Sequence, residues 1–213
     1  MESELELRAS LCDAGRRLWT RGLIAGGEGN LSVRLSPQRI LTTPGGRPKD
    51  RLKPADLVVI DLQGRPSGEG RPSSEIRIHL AAYRARPDCR AFIHAHPPCA
   101  TAFGIAGEPI PHDLLVEAAF VLGPVPVVPF GFPGTDELPA ALEPYLEDHK
   151  TFLLANHGAA VMGASVTDAL MRMESLEQIA KTLLYARLLG GGHSMPESAL
   201  RRLPLSGALE ALA

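Results

Sequence analysis

The stretch Phe92-Ile93-His94-Ala95-His96-Pro97-Pro98 constrains this chain more than any other. Ala91-Phe92-Ile93 is an apolar run that reads as a strand, and the two prolines stop it. Side chains alternate faces along a strand, so His94 and His96 project the same way. Two imidazoles on one face can ligate one metal ion. A second apolar run, 151–156, ends at His157-Gly158 and offers a third imidazole. Three neutral imidazoles match a catalytic zinc site that keeps one position open for substrate. The His-x-His spacing does not decide this by itself, because histidines at strand ends also serve as hydrogen-bonded packing residues.

Periodicity supplies the frame around these residues. A helix is expected over 3–22, with Leu5, Ala9, Cys12, Leu18 and Trp19 as its stripe. Gly26-Gly27-Glu28-Gly29-Asn30 breaks it, and strands follow at 31–35, 39–43 and 57–61. Between the last two lies the rigid turn Pro44-Gly45-Gly46-Arg47-Pro48. Ser73-Ser74-Glu75 opens a helix to about Arg86 whose buried stripe is Ile76, Leu80 and Tyr83. Either serine is a good N-cap, and Glu75 falls in the first turn, where the helix dipole favours a negative charge. The same hydroxyls and free amides can also bind phosphate.

Further expectations are a short helix at 100–106, an apolar segment at 114–120, a proline-punctuated strand at 124–130 and a helix over 134–147. Strands at 151–156 and 159–162 precede a long helix that Ser165 or Thr167 opens and that runs to about Leu189. Glu174 and Glu177 on that helix are expected to face solvent or a subunit neighbour. The tail 193–213 carries a weak helix signal after Pro204. Strands and helices mix without strict alternation and no linker or repeat interrupts them. The reading is a single α/β domain over 1–213, with its core at about 5–190 and a mixed sheet.

Composition narrows the function classes. The chain has 213 residues, 45% hydrophobic and 22% charged, with net charge -2, and its pI of about 6.4 gives no basic excess for nucleic acid or a membrane surface. No apolar run approaches the ~20 residues needed to span a bilayer. The acidic start Met1-Glu2-Ser3-Glu4 lacks the apolar core of a secretory signal. Cys12, Cys89 and Cys99 fit no disulfide or zinc framework and read as reduced thiols in a cytoplasmic protein.

Five motifs stand in order: Gly29-Asn30-Leu31-Ser32-Val33-Arg34, Thr43-Pro44-Gly45-Gly46, Ser73-Ser74-Glu75, His94-Ala95-His96 and Asn156-His157-Gly158. With this set, over roughly 5–190, the chain resembles the class II aldolase/adducin family, and within it the L-fuculose-1-phosphate aldolase branch. The resemblance implies a three-layer α/β/α domain assembled as a homotetramer with active sites between subunits. It implies Zn2+ on His94, His96 and His157, and phosphate on Gly29, Asn30, Gly45, Gly46, Ser73 and Ser74. It makes Glu75 the catalytic acid/base. The implied reaction is cleavage of a ketose 1-phosphate to dihydroxyacetone phosphate and an aldehyde. Pentulose-phosphate 4-epimerases and sugar-phosphate dehydratases of the family are the alternatives, and a non-catalytic adducin-like scaffold the least favoured.

Two departures bear on the substrate. Gly45 stands where the fuculose-type pattern has threonine, and the branch's tyrosines have no match at 110–120 or beyond Tyr185. Whether Glu117 stands in for them is left open by the sequence. A smaller or apolar aldehyde end, as in 5-deoxypentulose or methylthiopentulose 1-phosphates, fits that loss.

Overall fold

A computed structural model describes residues 2–203. The expected helix signal after Pro204 lies outside the described residues. Seven strands form one sheet: β1 (Asn30–Ser36), β2 (Arg39–Thr42), β3 (Val58–Ile60), β4 (Ala91–Ala95), β5 (Val127–Val128), β6 (Thr151–Leu154) and β7 (Gly158–Gly163). Their spatial order is β3-β2-β1-β4-β7-β6-β5. Every pairing is antiparallel except β5 with β6, so the sheet is mixed.

Helices cover both faces. The residues of α1 (Glu4–Thr20), α3 (Pro98–Ala106) and α5 (Val166–Leu188) pack on one side, with Leu31, Ile93 and Val161 from the strands. The residues of α2 (Ile76–Ala85) and α4 (Glu137–Leu142) pack on the other, with Phe92, Phe152 and Ala160. Ile93 and Phe92 thus lie in opposite cores, as the period of two requires. A last short helix, α6, spans Glu197–Leu200. The expected α/β/α layering about a mixed sheet is what the chain adopts.

Several local expectations shift. On α1 the buried stripe is Leu7, Leu11, Cys12, Ala14, Gly15 and Leu18, whereas Leu5 is 71% exposed. Ser3 caps this helix reciprocally with Glu6, which fixes where it starts. The strand expected at 124–130 shrinks to Val127–Val128, because Pro124, Pro126 and Pro129 cannot donate to a ladder. The helix expected over 134–147 ends at Leu142 and tightens into a 3-10 turn, Glu143–Tyr145, around Pro144. The apolar segment at 114–120 ends in a π-helical turn, Ala118–Leu122. Glu174 and Glu177 find partners within the chain rather than in solvent. Glu174 pairs with Arg17 and Arg21, and Glu177 accepts the Cys99 and Ala100 amides at 3.0 Å, capping α3.

Candidate active site

The site begins with the register of β1, β4 and β7. Asn30 sits opposite His94, and His94 opposite Ala160. His94 therefore lies in mid-sheet on the α2 side and is fully buried. His96 follows one residue beyond the end of β4, where its amide donates to Leu23 O at 2.9 Å. His157 closes the tight turn between β6 and β7. That turn needs Asn156 at φ 56°, the one left-handed non-glycine among the described residues, and a short amide side chain tolerates that region.

These elements bring the three imidazoles together. The ring centroids of His94, His96 and His157 lie 4.6–5.2 Å apart, and their inward nitrogens are all within 4.8 Å of one another. The outward nitrogens decide the tautomers. His94 Nδ1 donates to Ala159 O at 2.9 Å, and His96 Nδ1 faces the Glu28 carboxylate at 3.3 Å. Both Nε2 atoms then carry lone pairs, yet they stand 3.1 Å apart. Two bare lone pairs at that separation repel, and a cation between them removes the conflict. Tetrahedral zinc with Zn–N of ~2.05 Å would set its nitrogens about 3.3 Å apart. The donor set and its spacing thus fit a divalent transition metal. Burial drives the His94 pKa down to about 4 and lowers that of His96, so both rings are neutral and ready to bind a cation.

Glu75 reaches the same point from the α2 side. Its Oε1 lies 3.1 Å from His157 Nε2 and its Oε2 3.5 Å from His94 Nε2. Burial by itself would raise its pKa. The nearby His157 and His94 rings and the Asn30 amide outweigh this and hold it low, at about 2. Ser-Ser-Glu does not form the first helical turn that was expected. The α-helix starts at Ile76, Glu75 occupies the position before it, and Ser73 Oγ accepts the Glu75 amide at 3.3 Å. This turn ahead of the helix is what aims the Glu75 carboxylate at the triad.

The glycine loops close around Asn30 and Ser73. Asn30 Nδ2 donates to Glu75 Oε2 at 2.9 Å and to Ser73 Oγ at 3.3 Å. Gly29 takes φ 69°, and a Cβ there would strike Ile24 and the His94 carbonyl. Gly45 packs against the Pro72–Ser73 backbone, where a Cβ would stand only 3.3 Å from Pro72 O and Ser73 Cα. Glycine at 45 thus permits the two loops to approach closely. Gly46 takes φ 68° with open space beside it, and Ser74 is exposed. Beneath the loops, buried Lys49 donates to Gly27 O at 3.0 Å and Arg47 O at 2.7 Å. Burial brings its pKa down to about 8. Gly29, Asn30, Gly45, Ser73, Glu75 and the triad form one cluster, joined by the contacts just described.

Glu117 and Cys99 are not part of that cluster. Glu117 is exposed and lines a groove of about 630 Å³ with Arg17, Arg21 and Glu174, which none of the expected site residues lines. Cys99 is half-buried, and burial and Glu177 raise its pKa. Cys12 and Cys89 are buried free thiols. Three residues at or beside the site were not foreseen: Glu28, Lys49 and His79. His79 had a readable signal, since Glu75, His79 and Tyr83 recur every four residues and share one helix face.

The Class II Aldolase and Adducin N-terminal domain profile matches residues 9–184. The chain belongs to this family. The 3-oxo-tetronate 4-phosphate decarboxylase of Haemophilus influenzae is 36% identical over 183 residues, covering 84% of this chain and 87% of that protein. The 5-methylthioribulose-1-phosphate/5-deoxyribulose-1-phosphate aldolase of Rhodospirillum rubrum is 35% identical over 179 residues, covering 84% and 80%. Among solved structures, YgbL of Klebsiella pneumoniae superposes with TM-score 0.89 at 31% identity, covering 95% of this chain and all of that one. No helix among the described residues of this class II aldolase family member is long and apolar enough to cross a membrane.

Proposed function

We propose that the protein is a metal-dependent carbon–carbon lyase that releases dihydroxyacetone phosphate from a phosphorylated keto sugar or keto sugar acid. The observation that carries this is the position of Glu75. One carboxylate touches two of the three triad imidazoles and, through Asn30, the residues of the glycine loops. On this reading metal, proton carrier and phosphate subsite meet at one point. Zn2+, or another divalent transition metal, on His94, His96 and His157 supplies Lewis-acid stabilisation of the charge that develops when a bond beside a carbonyl breaks. The Gly29-Asn30 loop, Gly45, Gly46, Ser73 and Ser74 hold the phosphate and so fix the position of the carbonyl. Glu75 carries the proton at the carbon that becomes the hydroxymethyl carbon of the product.

Two leaving groups give the same enediolate of dihydroxyacetone phosphate. A 3-oxo-tetronate 4-phosphate loses its carboxylate as carbon dioxide. A ketose 1-phosphate loses an aldehyde. Only the second needs a group to take the proton from the hydroxyl that becomes the aldehyde oxygen. The chain's three tyrosines are Tyr83, Tyr145 and Tyr185, none of them where fuculose-type aldolases carry theirs. This favours decarboxylation, and the Haemophilus relative supports it. Retro-aldol cleavage of a 5-deoxypentulose or methylthiopentulose 1-phosphate is the second reading, supported by the Rhodospirillum relative. A homotetramer with neighbouring subunits completing each site belongs to both readings, and sedimentation velocity tests it.

Zinc-loaded protein should be offered 3-oxo-tetronate 4-phosphates and ketose 1-phosphates while dihydroxyacetone phosphate and carbon dioxide are followed. Both products together establish decarboxylation, and the triose phosphate with an aldehyde establishes retro-aldol cleavage. Neither, with metal bound, refutes the lyase reading. Glu75→Gln should lower turnover by about 10²–10⁴-fold with the metal retained, and full activity in that variant would remove Glu75 from its role.

A further inference from the structure

Behind Glu75 the structure holds a row of buried polar groups with one direction. Asn30 and Ser32 lie two apart on β1 and face α2, where His79 and Tyr83 stand. His79 is fully buried between them, its ring 4.4 Å from that of Phe92. Its Nε2 contacts Asn30 Oδ1, and its Nδ1 lies 2.6 Å from Ser32 Oγ. Ser32 Oγ in turn lies 2.8 Å from the Tyr83 hydroxyl.

Chemistry fixes every proton in this row. An ionised carboxylate only accepts, so the Asn30 atom facing Glu75 is the NH2 group and Oδ1 faces His79. An amide oxygen also only accepts, so His79 Nε2 carries the proton. Among the described residues no carboxylate contacts buried His79, and burial takes its pKa down to about 3, so its ring is neutral and Nδ1 is an acceptor. Ser32 then donates to Nδ1 and accepts from Tyr83. The donors run one way, from Tyr83 through Ser32, His79 and Asn30 to Glu75. Hydrogen bonds in such a row polarise one another. A flipped Asn30 amide would set its oxygen against the Glu75 carboxylate, and the His79 N–H opposes that flip.

We propose that His79 is a positioning residue, which locks the Asn30 amide so that Asn30 holds the Glu75 carboxylate in its reactive orientation. Its bearing on catalysis rests on the lyase reading above. The tautomer it requires does not.

The first test is long-range 1H–15N correlation of the imidazoles in the zinc-loaded protein at pH 7. His79 should show the neutral Nε2–H form. The Nδ1–H tautomer or a doubly protonated ring would overturn the proposal. The second test compares His79→Gln with His79→Asn. Glutamine can reach the Nε2 position and donate to Asn30, whereas asparagine reaches only the Nδ1 position. His79→Asn should lose about 10- to 100-fold in kcat, the range for groups that orient a reacting residue, with KM and zinc content near wild type. His79→Gln should recover to within about fivefold of wild type. Equal loss in both variants, or loss in neither, refutes the positioning role. A wild-type protein inactive on both substrate classes would refute the lyase reading while leaving the tautomer result to decide the arrangement.

Discussion

Replacing Gly158 by alanine tests the geometry of the triad without touching a ligand. Gly158 does not take a left-handed φ, so space alone demands glycine there. An added Cβ would lie 2.6 Å from Ala95 O, 2.7 Å from His96 Cδ2 and 3.3 Å from His94 Cε1. The first contact is some 0.4 Å inside the shortest that real Cβ atoms make. Ala95 is paired to Ala159 across β4 and β7, so its carbonyl cannot swing aside without opening the ladder. Either the strands part or the His96 ring moves away from the point where the three imidazoles converge. Overpacking of this kind costs about 1–3 kcal/mol, and displacing a ligand by a few tenths of an ångström should weaken metal binding about 10- to 100-fold, as losses of ligand orientation do. Urea unfolding of chelator-treated protein should show the stability loss, and competition with a chromophoric chelator should show the loss of zinc affinity. Gly68→Ala, where the added Cβ meets nothing within 4 Å, is the control. Wild-type stability and wild-type zinc affinity in Gly158→Ala would refute the packing argument.

Two further outcomes are expected. Glu28→Ala should weaken zinc binding by about tenfold, because it removes the acceptor for His96 Nδ1; unchanged affinity would show that Glu28 does not orient the ring. His79 and His94 are buried neutral, with folded pKa values of about 3 and about 4 below the ordinary 6.5. Depressed values mean that their stabilisation is complete above pH 6.5 and is lost as pH falls toward those values. A tenfold change in a proton equilibrium is worth ~1.4 kcal/mol, so the metal-free protein should lose a few kcal/mol between pH 6.5 and pH 5, before most carboxylates titrate. A flat unfolding midpoint over that window would contradict the burial of neutral rings.

The sheet and the triad were legible because both rest on short-range pattern. Period two placed Phe92 and Ile93 in opposite cores and put His94 and His96 on one side, and proline punctuation ended the strand where it ends. The phase of α1 was less legible, since Leu5 and Trp19 are as apolar as Leu7 and Leu11, and only packing against the core decides among them. Glu28 and Lys49 carry no pattern at all. Each acts on a group far along the chain, Glu28 on His96 and Lys49 on the Gly27 carbonyl. Glu174 and Glu177 look like solvent-facing acids on a long helix, and only the tertiary placement of α1 and α3 supplies their partners. The site was read from its motifs, and of the groups behind it only His79 leaves a trace in the sequence, its spacing of four from Glu75 and Tyr83.

The cross-strand alignment of Asn30, His94 and Ala160 also divides the labour of the molecule. Asn30 and His94 at the reacting centre are bolted to neighbouring strands and cannot drift without breaking the ladder. The loops around them have no such anchor. One of these, at Gly134, packs on Ser74 from a segment outside that alignment. New leaving groups can therefore be tried by changing loops while the reactive frame stays fixed. A fold arranged this way can change its substrate in small steps, and relatives that share the frame can bear the names of different reactions.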